Sequence, residues 1–352
     1  MNTSPVRMDD IPLNRFHCRI AALTFGAHLT DGYVLGVIGY AIIQLTPAMH
    51  LTPFMAGMIG SSALLGLFLG SLVLGWISDH IGRQKIFTFS FLLITLASFL
   101  QFFATTPEHL IGLRILIGIG LGGDYSVGHT LLAEFSPRRH RGILLGAFSV
   151  VWTVGYVLAS IAGHHFISEN PEAWRWLPTI AQTIGLEDAL TASLMLNALL
   201  IVGALLGLVL THLLAHRKFL LGSFLLLAAT LVVMACLPSG SSLTLLLFVL
   251  FSTTISAVSN LVGILPAESF PTDIRSLGVG FATAMSRLGA AVSTGLLPWV
   301  LAQWGMQVTL LLLAAVLLVG FVVTWLWAPE TKALPLVAAG NVGGANEHSV
   351  SV

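Results

Sequence analysis

Apolar residues are gathered into ten long runs separated by short polar segments. The runs are approximately Ile20–Leu45, Phe54–Ile77, Ile86–Ala104, Leu110–Leu132, Gly142–Phe166, Leu190–Leu214, Phe219–Leu237, Leu243–Leu265, Leu277–Leu301 and Val308–Trp327. Each is too long for a strand, and most reach the roughly 20 residues that carry a helix across a bilayer. The pattern predicts an all-α multi-pass membrane protein with about ten transmembrane helices. An outer-membrane barrel would instead show short segments of alternating polarity. The first run is too long for a cleavable signal, and Asp31 interrupts it.

The charges between the runs set an orientation. One face receives Arg7, Arg15, Arg19, Arg83, Lys85, Arg138, Arg139, Arg141, Arg217, Lys218, Arg275 and Lys332. The other receives Arg175, while Arg114 and Arg287 fall inside runs. By the positive-inside rule both termini are expected on the cytoplasmic side. Losing or adding a single span would scramble this bias, so it also favours an even number. The expected divisions are a cytoplasmic segment at 1–19, a five-helix bundle at 20–166, an extracytoplasmic junction at 167–189, a second five-helix bundle at 190–328 and a disordered cytoplasmic tail at 329–352.

Composition narrows the function. Of 352 residues, 56% are hydrophobic and 9% charged, and mean hydropathy is +0.93. A soluble domain carries roughly 25% charged residues, so a soluble enzyme is excluded. Fifteen basic and fifteen acidic residues give no basic field for nucleic acid. Cys18 and Cys236 fall at opposite membrane faces and are not expected to pair. There is no Walker loop. Gly118-x-Gly120-x-x-Gly123 matches a dinucleotide fingerprint by letter only, inside a span and with no strand before it. His164-His165 is a lone pair, and no metal site or cofactor is expected.

An internal repeat follows. Glu134-x-x-Pro137-x-x-x-Arg141 comes after the fourth run, and Glu268-x-x-Pro271-x-x-x-Arg275 after the eighth. Two halves read in the same direction suggest a parallel repeat, with two bundles rocking about a central site. Gly75-Trp76-Ile77-Ser78-Asp79-His80-Ile81-Gly82-Arg83-Gln84-Lys85 resembles the loop between the second and third helices of the major facilitator superfamily, with His80 and Gln84 as departures. Arg114-x-x-x-Gly118-x-Gly120-x-Gly122-Gly123-Asp124-Tyr125 resembles the fourth helix of its sugar-porter-like branch, closest to metabolite:proton symporters for phosphate and aromatic acids. Asp31-Gly32-Tyr33 resembles their first-helix motif, with Val34 replacing a second acid. Pro271-Thr272-x-x-Arg275 and Pro329-Glu330-Thr331-Lys332 resemble later cytoplasmic motifs of the same branch.

The resemblance implies twelve helices where the chain shows ten. Trp174-Arg175-Trp176 resembles the entry to the family's sixth helix, and the segment from Leu177 to Leu186 the end of its seventh. An adjacent pair is therefore expected to be missing by internal deletion, which preserves parity and the charge bias. By family analogy the seventh helix lines the central cavity. Its loss would leave a wall for lipid or a partner subunit to cover, since polar surface facing lipid costs several kcal/mol per group.

Candidate chemistry lies in the runs. Asp31 is expected roughly 17 Å into its helix, near the bilayer middle. A charge there costs about 2.5 kcal/mol or more, which suits an acid that takes up and releases a proton; a structural acid paired with Arg114 is the alternative. Asp124 is expected at similar depth, either in proton and substrate handling, as the resemblance implies, or in a helix-packing hydrogen bond. Arg114 either pairs with Asp31 or snorkels outward. Tyr125 resembles the substrate tyrosine of phosphate symporters, although ring packing is the plainer reading. Trp152 stands where those symporters carry a substrate-contacting Gln, which argues for a carbon-rich substrate. Asn260 stands where they carry a substrate-site Asn, with interhelical hydrogen bonding as the alternative. Arg287 either attracts a carboxylate substrate or pairs with a gate acid or a backbone carbonyl. His28, three residues before Asp31, reads as a packing residue rather than a proton relay. Gly66, Gly70 and the glycines of the fourth run read as packing devices.

Asp79, Arg83, Glu134, Arg141, Glu268 and Arg275 resemble the family's inner-gate network, whose ion pairs hold the outward-facing state and break on inward opening; positive-inside topology with solvated loops is the alternative, and the reading preferred for Arg138 and Arg139. The expected function is secondary active transport, by proton symport, of a small organic acid or sugar-like metabolite across the cytoplasmic membrane. The alternatives are a proton-independent facilitator and a non-transporting or impaired membrane protein. No nucleophile–base pair points to an enzyme.

Overall fold

The computed structural model describes residues 12–137, 139–168, 189–237, 242–271, 274–328 and 330–331. These residues are helical almost throughout, with no strand among them. In chain order the helices are α1 Arg15–Ala48, α2 Pro53–Ile81, α3 Arg83–Leu100, α4 Pro107–Glu134, α5 Arg141–Ser168, α6 Ala189–Leu213, α7 His216–Cys236, α8 Ser242–Ser269 and α9 Arg275–Trp327. Helix α9 breaks at Gly305, whose φ of 76° and ψ of 175° leave helical space, so it holds the last two apolar runs as two limbs. All ten runs are thus recovered as helix. Nine of the resulting segments are long and apolar enough to cross a bilayer among the described residues. The inferred junction around Trp174 and Leu177, Arg138, and the tail from Lys332 lie outside the described residues.

Local sequence explains the helix ends. The Asn14 side chain accepts from the N–H groups of Phe16 and His17, and the His17 ring answers the Asn14 N–H, forming a capping box on α1. Thr52 and Thr106 cap α2 and α4, each followed by Pro at the first helical position, where a missing N–H costs nothing. Gly82 turns α2 into α3 at φ 106°, a conformation that L side chains rarely adopt.

Packing follows the small residues. α2 and α4 touch along a glycine seam. A Cβ on Gly66 would fall 2.1 Å from the Ile115 carbonyl oxygen, and one on Gly118 2.1 Å from that of Ala63. The first and fifth helices meet in the same way at Gly32, against Trp152, and at Gly155, against Leu29. Without a hydrophobic force between helices in lipid, such close backbone approach supplies the van der Waals attraction. Helices α1–α5 form one group and α6–α9 another. α5 packs on α6 and α8, while α2 and α4 pack on α9. A buried cluster including Leu132, Leu145, Phe148, Leu261 and Ile264 fills the seam between the groups. Large apolar side chains such as Phe99, Val202, Val316 and Val319 point outward, as a lipid-facing surface requires.

Candidate functional site

A cavity of about 500 Å³ opens between the two groups of helices. Its wall draws on α1 through His28, α4 through Tyr125 and His129, α5 through Ser149, Trp152 and Tyr156, α8 through Ser256 and Ser259, and α9 through Ser286 and Arg287. Three residues proposed from sequence for substrate contact (Tyr125, Trp152 and Arg287) therefore share one cavity.

Arg287 stands over the Tyr125 ring, its guanidinium carbon 5.2 Å from the centroid. This contact orients the cation by the ring quadrupole and leaves its donors unspent. Its buried Nε has no hydrogen-bond partner. Trp152 stacks on Tyr156 at 5.6 Å, so indole and phenol form an aromatic wall of their own. The wall is therefore apolar on one side and carries a free cation on the other.

Behind His28 lie the two acids. Asp31 and Asp124 are both 0% exposed. The helices that carry them are antiparallel, and the two residues meet at one depth. His28 Nδ1 sits 3.4 Å from an Asp31 oxygen and 3.5 Å from an Asp124 oxygen. None of the four carboxylate oxygens has a hydrogen bond of good geometry, His28 Nδ1 being the near ring nitrogen. The ring of His28 is stacked on Phe148, with centroids 3.7 Å apart, which fixes its plane.

His28 is thus a member of the acid cluster rather than simple packing, a correction to the sequence reading. The signal was present in the three-residue spacing to Asp31, which puts both on one helical face. His129 was missed altogether. It lies four residues after Tyr125, donates from Nδ1 to the Tyr125 carbonyl at 2.9 Å, and contacts the rings of His28 and Phe148. Gly263 leaves room for it, because a Cβ there would fall 2.1 Å from His129 Nε2.

Two proposed residues are not brought to the cluster. Arg114 neither pairs with Asp31 nor snorkels. It is 2% exposed, and its Nε donates to the Ile59 carbonyl of α2 at 3.1 Å. Asn260 donates to the Ala204 carbonyl of α6 at 2.9 Å and does not line the cavity. A buried amide on a crowded interhelical face finds a backbone acceptor before it finds a ligand.

The charged ends of the helices form a second centre. Arg83 bonds Asp79 at 3.3 Å, Ser276 at 3.1 Å, and Glu134. Arg275 reaches Glu134 at 2.8 Å, and the Leu277 N–H donates to Asp79 at 2.9 Å. These bonds tie α2, α3 and α4 to the first turn of α9. The Asp79 carboxylate sits at a helix N-terminus, where the macrodipole favours negative charge. The sequence repeat is visible in space. Arg141 bonds the Ser136 carbonyl at 3.4 Å and Arg275 the Phe270 carbonyl at 3.1 Å, each two residues past its glutamate. The glutamates themselves diverge. Glu268 accepts from Thr331 at 2.7 Å and lies 3.4 Å from His216, away from the Glu134 cluster. Beside it Glu330 accepts from the N–H groups of His216 and Arg217, at 3.0 and 3.1 Å.

Comparison with known proteins places this arrangement. A family model described as sugar (and other) transporter matches residues 19–180 and again 177–342. The chain is 78% identical over 445 aligned positions to the inner membrane metabolite transport protein YgcS of Escherichia coli K12, covering 100% of both chains. Those positions exceed the 352 residues of this chain by 93. It is 34% identical over 165 residues to the cis,cis-muconate transport protein of Acinetobacter baylyi, covering 45% of this chain and 38% of that one. Among solved structures, the proton:xylose symporter XylE bound to 6-bromo-6-deoxy-D-glucose superimposes with a TM-score of 0.78 at 14% identity, covering 92% of this chain and 98% of that one.

Proposed function

Because the chain belongs to the sugar (and other) transporter family of the major facilitator superfamily, we propose that it carries a small organic carboxylate or sugar-like metabolite together with protons by alternating access. The observation behind this reading is the placement of Asp31 and Asp124, buried and with His28 Nδ1 close by, beside a cavity that also holds Arg287. A carboxylate at the bilayer centre costs about 2.5–3.5 kcal/mol, a cost relieved when it takes a proton. The acids are the proton carriers, with His28 between them and the cavity. Arg287 is the anion-binding donor, and Tyr125 and Trp152 face the carbon skeleton. The aromatic lining favours an unsaturated acid, in keeping with a relative named for muconate. Trp152 in place of an amide disfavours phosphate.

The Asp79, Arg83, Glu134 and Arg275 cluster is the inner gate in this reading, and the positive-inside bias puts it and both termini on the cytoplasmic side. The gate joins a first bundle at 20–166 to a second at 190–328 and holds them together at that end. Asp31→Asn in proteoliposomes should abolish substrate-driven proton uptake while leaving the protein inserted. Coupling retained by that variant removes Asp31 from the mechanism.

A second reading concerns transport itself. The surplus of 93 aligned positions in the relative and the break of the family match at 177–180 support the loss of an adjacent helix pair at the 167–189 junction. The cavity then has a wall to be covered by lipid or a partner subunit, and the chain is an impaired or non-transporting member of its family. Uptake by this chain is to be compared with uptake by a version carrying the restored segment. Equal rates eliminate the impairment.

A further inference from the structure

The geometry points to a transition-metal site formed by His28, Asp31 and Asp124, with Zn2+ the ion it fits. The three donor atoms come from α1 and α4 and all lie within 4.8 Å of one another. From His28 Nδ1 the two carboxylate oxygens stand at 3.4 and 3.5 Å. A good N–H···O bond has its heavy atoms at roughly 2.7–3.2 Å, so both contacts are stretched for hydrogen bonds. A tetrahedral ion with bonds of roughly 2.0–2.1 Å sets its ligand atoms about 3.3–3.4 Å apart. The two His28–carboxylate distances lie close to the second spacing. The remaining edge, between the carboxylates, is no longer than 4.8 Å.

Charge and ligand type agree with the distances. Two carboxylates against a neutral imidazole carry two negative charges, which a divalent ion balances in a place where an uncompensated charge is costly. One nitrogen and two oxygens suit zinc and its first-row neighbours; calcium and magnesium take all-oxygen shells of six or more ligands. The side chains are preorganised. All three residues are at most 3% exposed, and His28 is held by the stacked Phe148 ring. His28 also lines the cavity, which brings the cluster within one side chain of an entry path. Sequence reading saw no site because the third ligand is 93 positions away from the second, on another helix. A bound ion would take the acids out of proton traffic and make zinc an inhibitor of coupled uptake.

The test needs no transport step, so its failure leaves the proton reading intact. Tag-free full-length protein in detergent is equilibrated with Zn2+, passed through gel filtration, and its metal counted per chain. The chain has twelve histidines, so the decisive quantity is a difference. His28→Ala and Asp124→Asn should each lose one equivalent relative to the parent. Co2+ bound to the parent should show the intense visible bands of a four-coordinate ion, displaced by one equivalent of Zn2+. An unchanged count in well-folded variants overturns the proposal. So does a parent whose Co2+ spectrum is weak and six-coordinate, a result that does not depend on any variant folding.

Discussion

Glu134→Gln tests the gate most directly. Glu134 accepts from Arg83 and, at 2.8 Å, from Arg275, whose side chain is 0% exposed. Neutralising the glutamate leaves the Arg275 guanidinium buried with its main counter-charge removed, beside the cation of Arg83. Truncating one member of a buried, hydrogen-bonded charge pair costs about 2–5 kcal/mol. The lower end applies here, because the Glu134 side chain is 17% exposed and water reaches it. The penalty falls on the arrangement in which α4 and α9 touch, and it vanishes once they part. At about 1.4 kcal/mol per factor of ten, a 2 kcal/mol change shifts the closed-to-open ratio at this end about thirty-fold. A background with Cys18→Ser and Cys236→Ser carries a reporter, Ser286→Cys, in the cavity wall. Impermeant thiol reagent is applied to inside-out and right-side-out vesicles. The Glu134→Gln variant should label faster from the cytoplasmic side by several-fold up to that limit, whereas Glu108→Gln, at the opposite end of α4, should not. Labelling of Glu134→Gln within two-fold of its parent, with the protein folded, would show that the ion pairs do not hold the gate.

Further outcomes follow from packing. Gly66→Ala should lower thermal stability by the equivalent of at least about 1–3 kcal/mol, since its Cβ meets backbone rather than a movable side chain; Gly112→Ala, which meets nothing within 4 Å, should be neutral or mildly stabilising, and detergent melting curves compare the two. Arg114→Leu should melt earlier yet keep its proton-to-substrate stoichiometry, because Arg114 Nε bonds the Ile59 carbonyl and the guanidinium makes no ion pair with Asp31. A changed stoichiometry would restore Arg114 to the coupling machinery. Asn260→Ala should cost about 0.6–1.7 kcal/mol through the α6–α8 bond while substrate affinity, measured by binding to the purified protein, stays within two-fold.

What the sequence disclosed depended on whether a property was local. Helix positions were legible because each span needs its own run of apolar residues, and even the break at Gly305 lies in the gap between the last two runs. The glycine seam was legible because small residues recur at helical spacing. The meeting of Asp31 with Asp124 was accessible as a depth argument, since each residue counts its own rise from the helix end. Which face each acid presents was not, and that decided whether His28 was packing or partner. Arg114 took neither of its two expected roles, and Asn260 took the interhelical alternative, for a shared reason. Motif position names a residue's neighbours in a family, but a buried donor settles on the nearest free carbonyl, and those lay on α2 and α6. The repeat told where Glu134 and Glu268 stand, and both arginines of the repeat kept their backbone bonds. Partners of the two glutamates differ because Arg83 faces one and His216 faces the other.

The carboxylate of Glu330 has a consequence for biosynthesis. It closes the first turn of α7 from a point 114 residues downstream of His216. During translation α7 therefore forms without this carboxylate cap and lacks it while all of α8 and α9 are still being made. Only when Glu330 leaves the ribosome can that turn lock. Locking of the first turn of α7 thus waits on a residue made 114 positions later, and a nascent chain stalled before that residue holds an α7 without its cap.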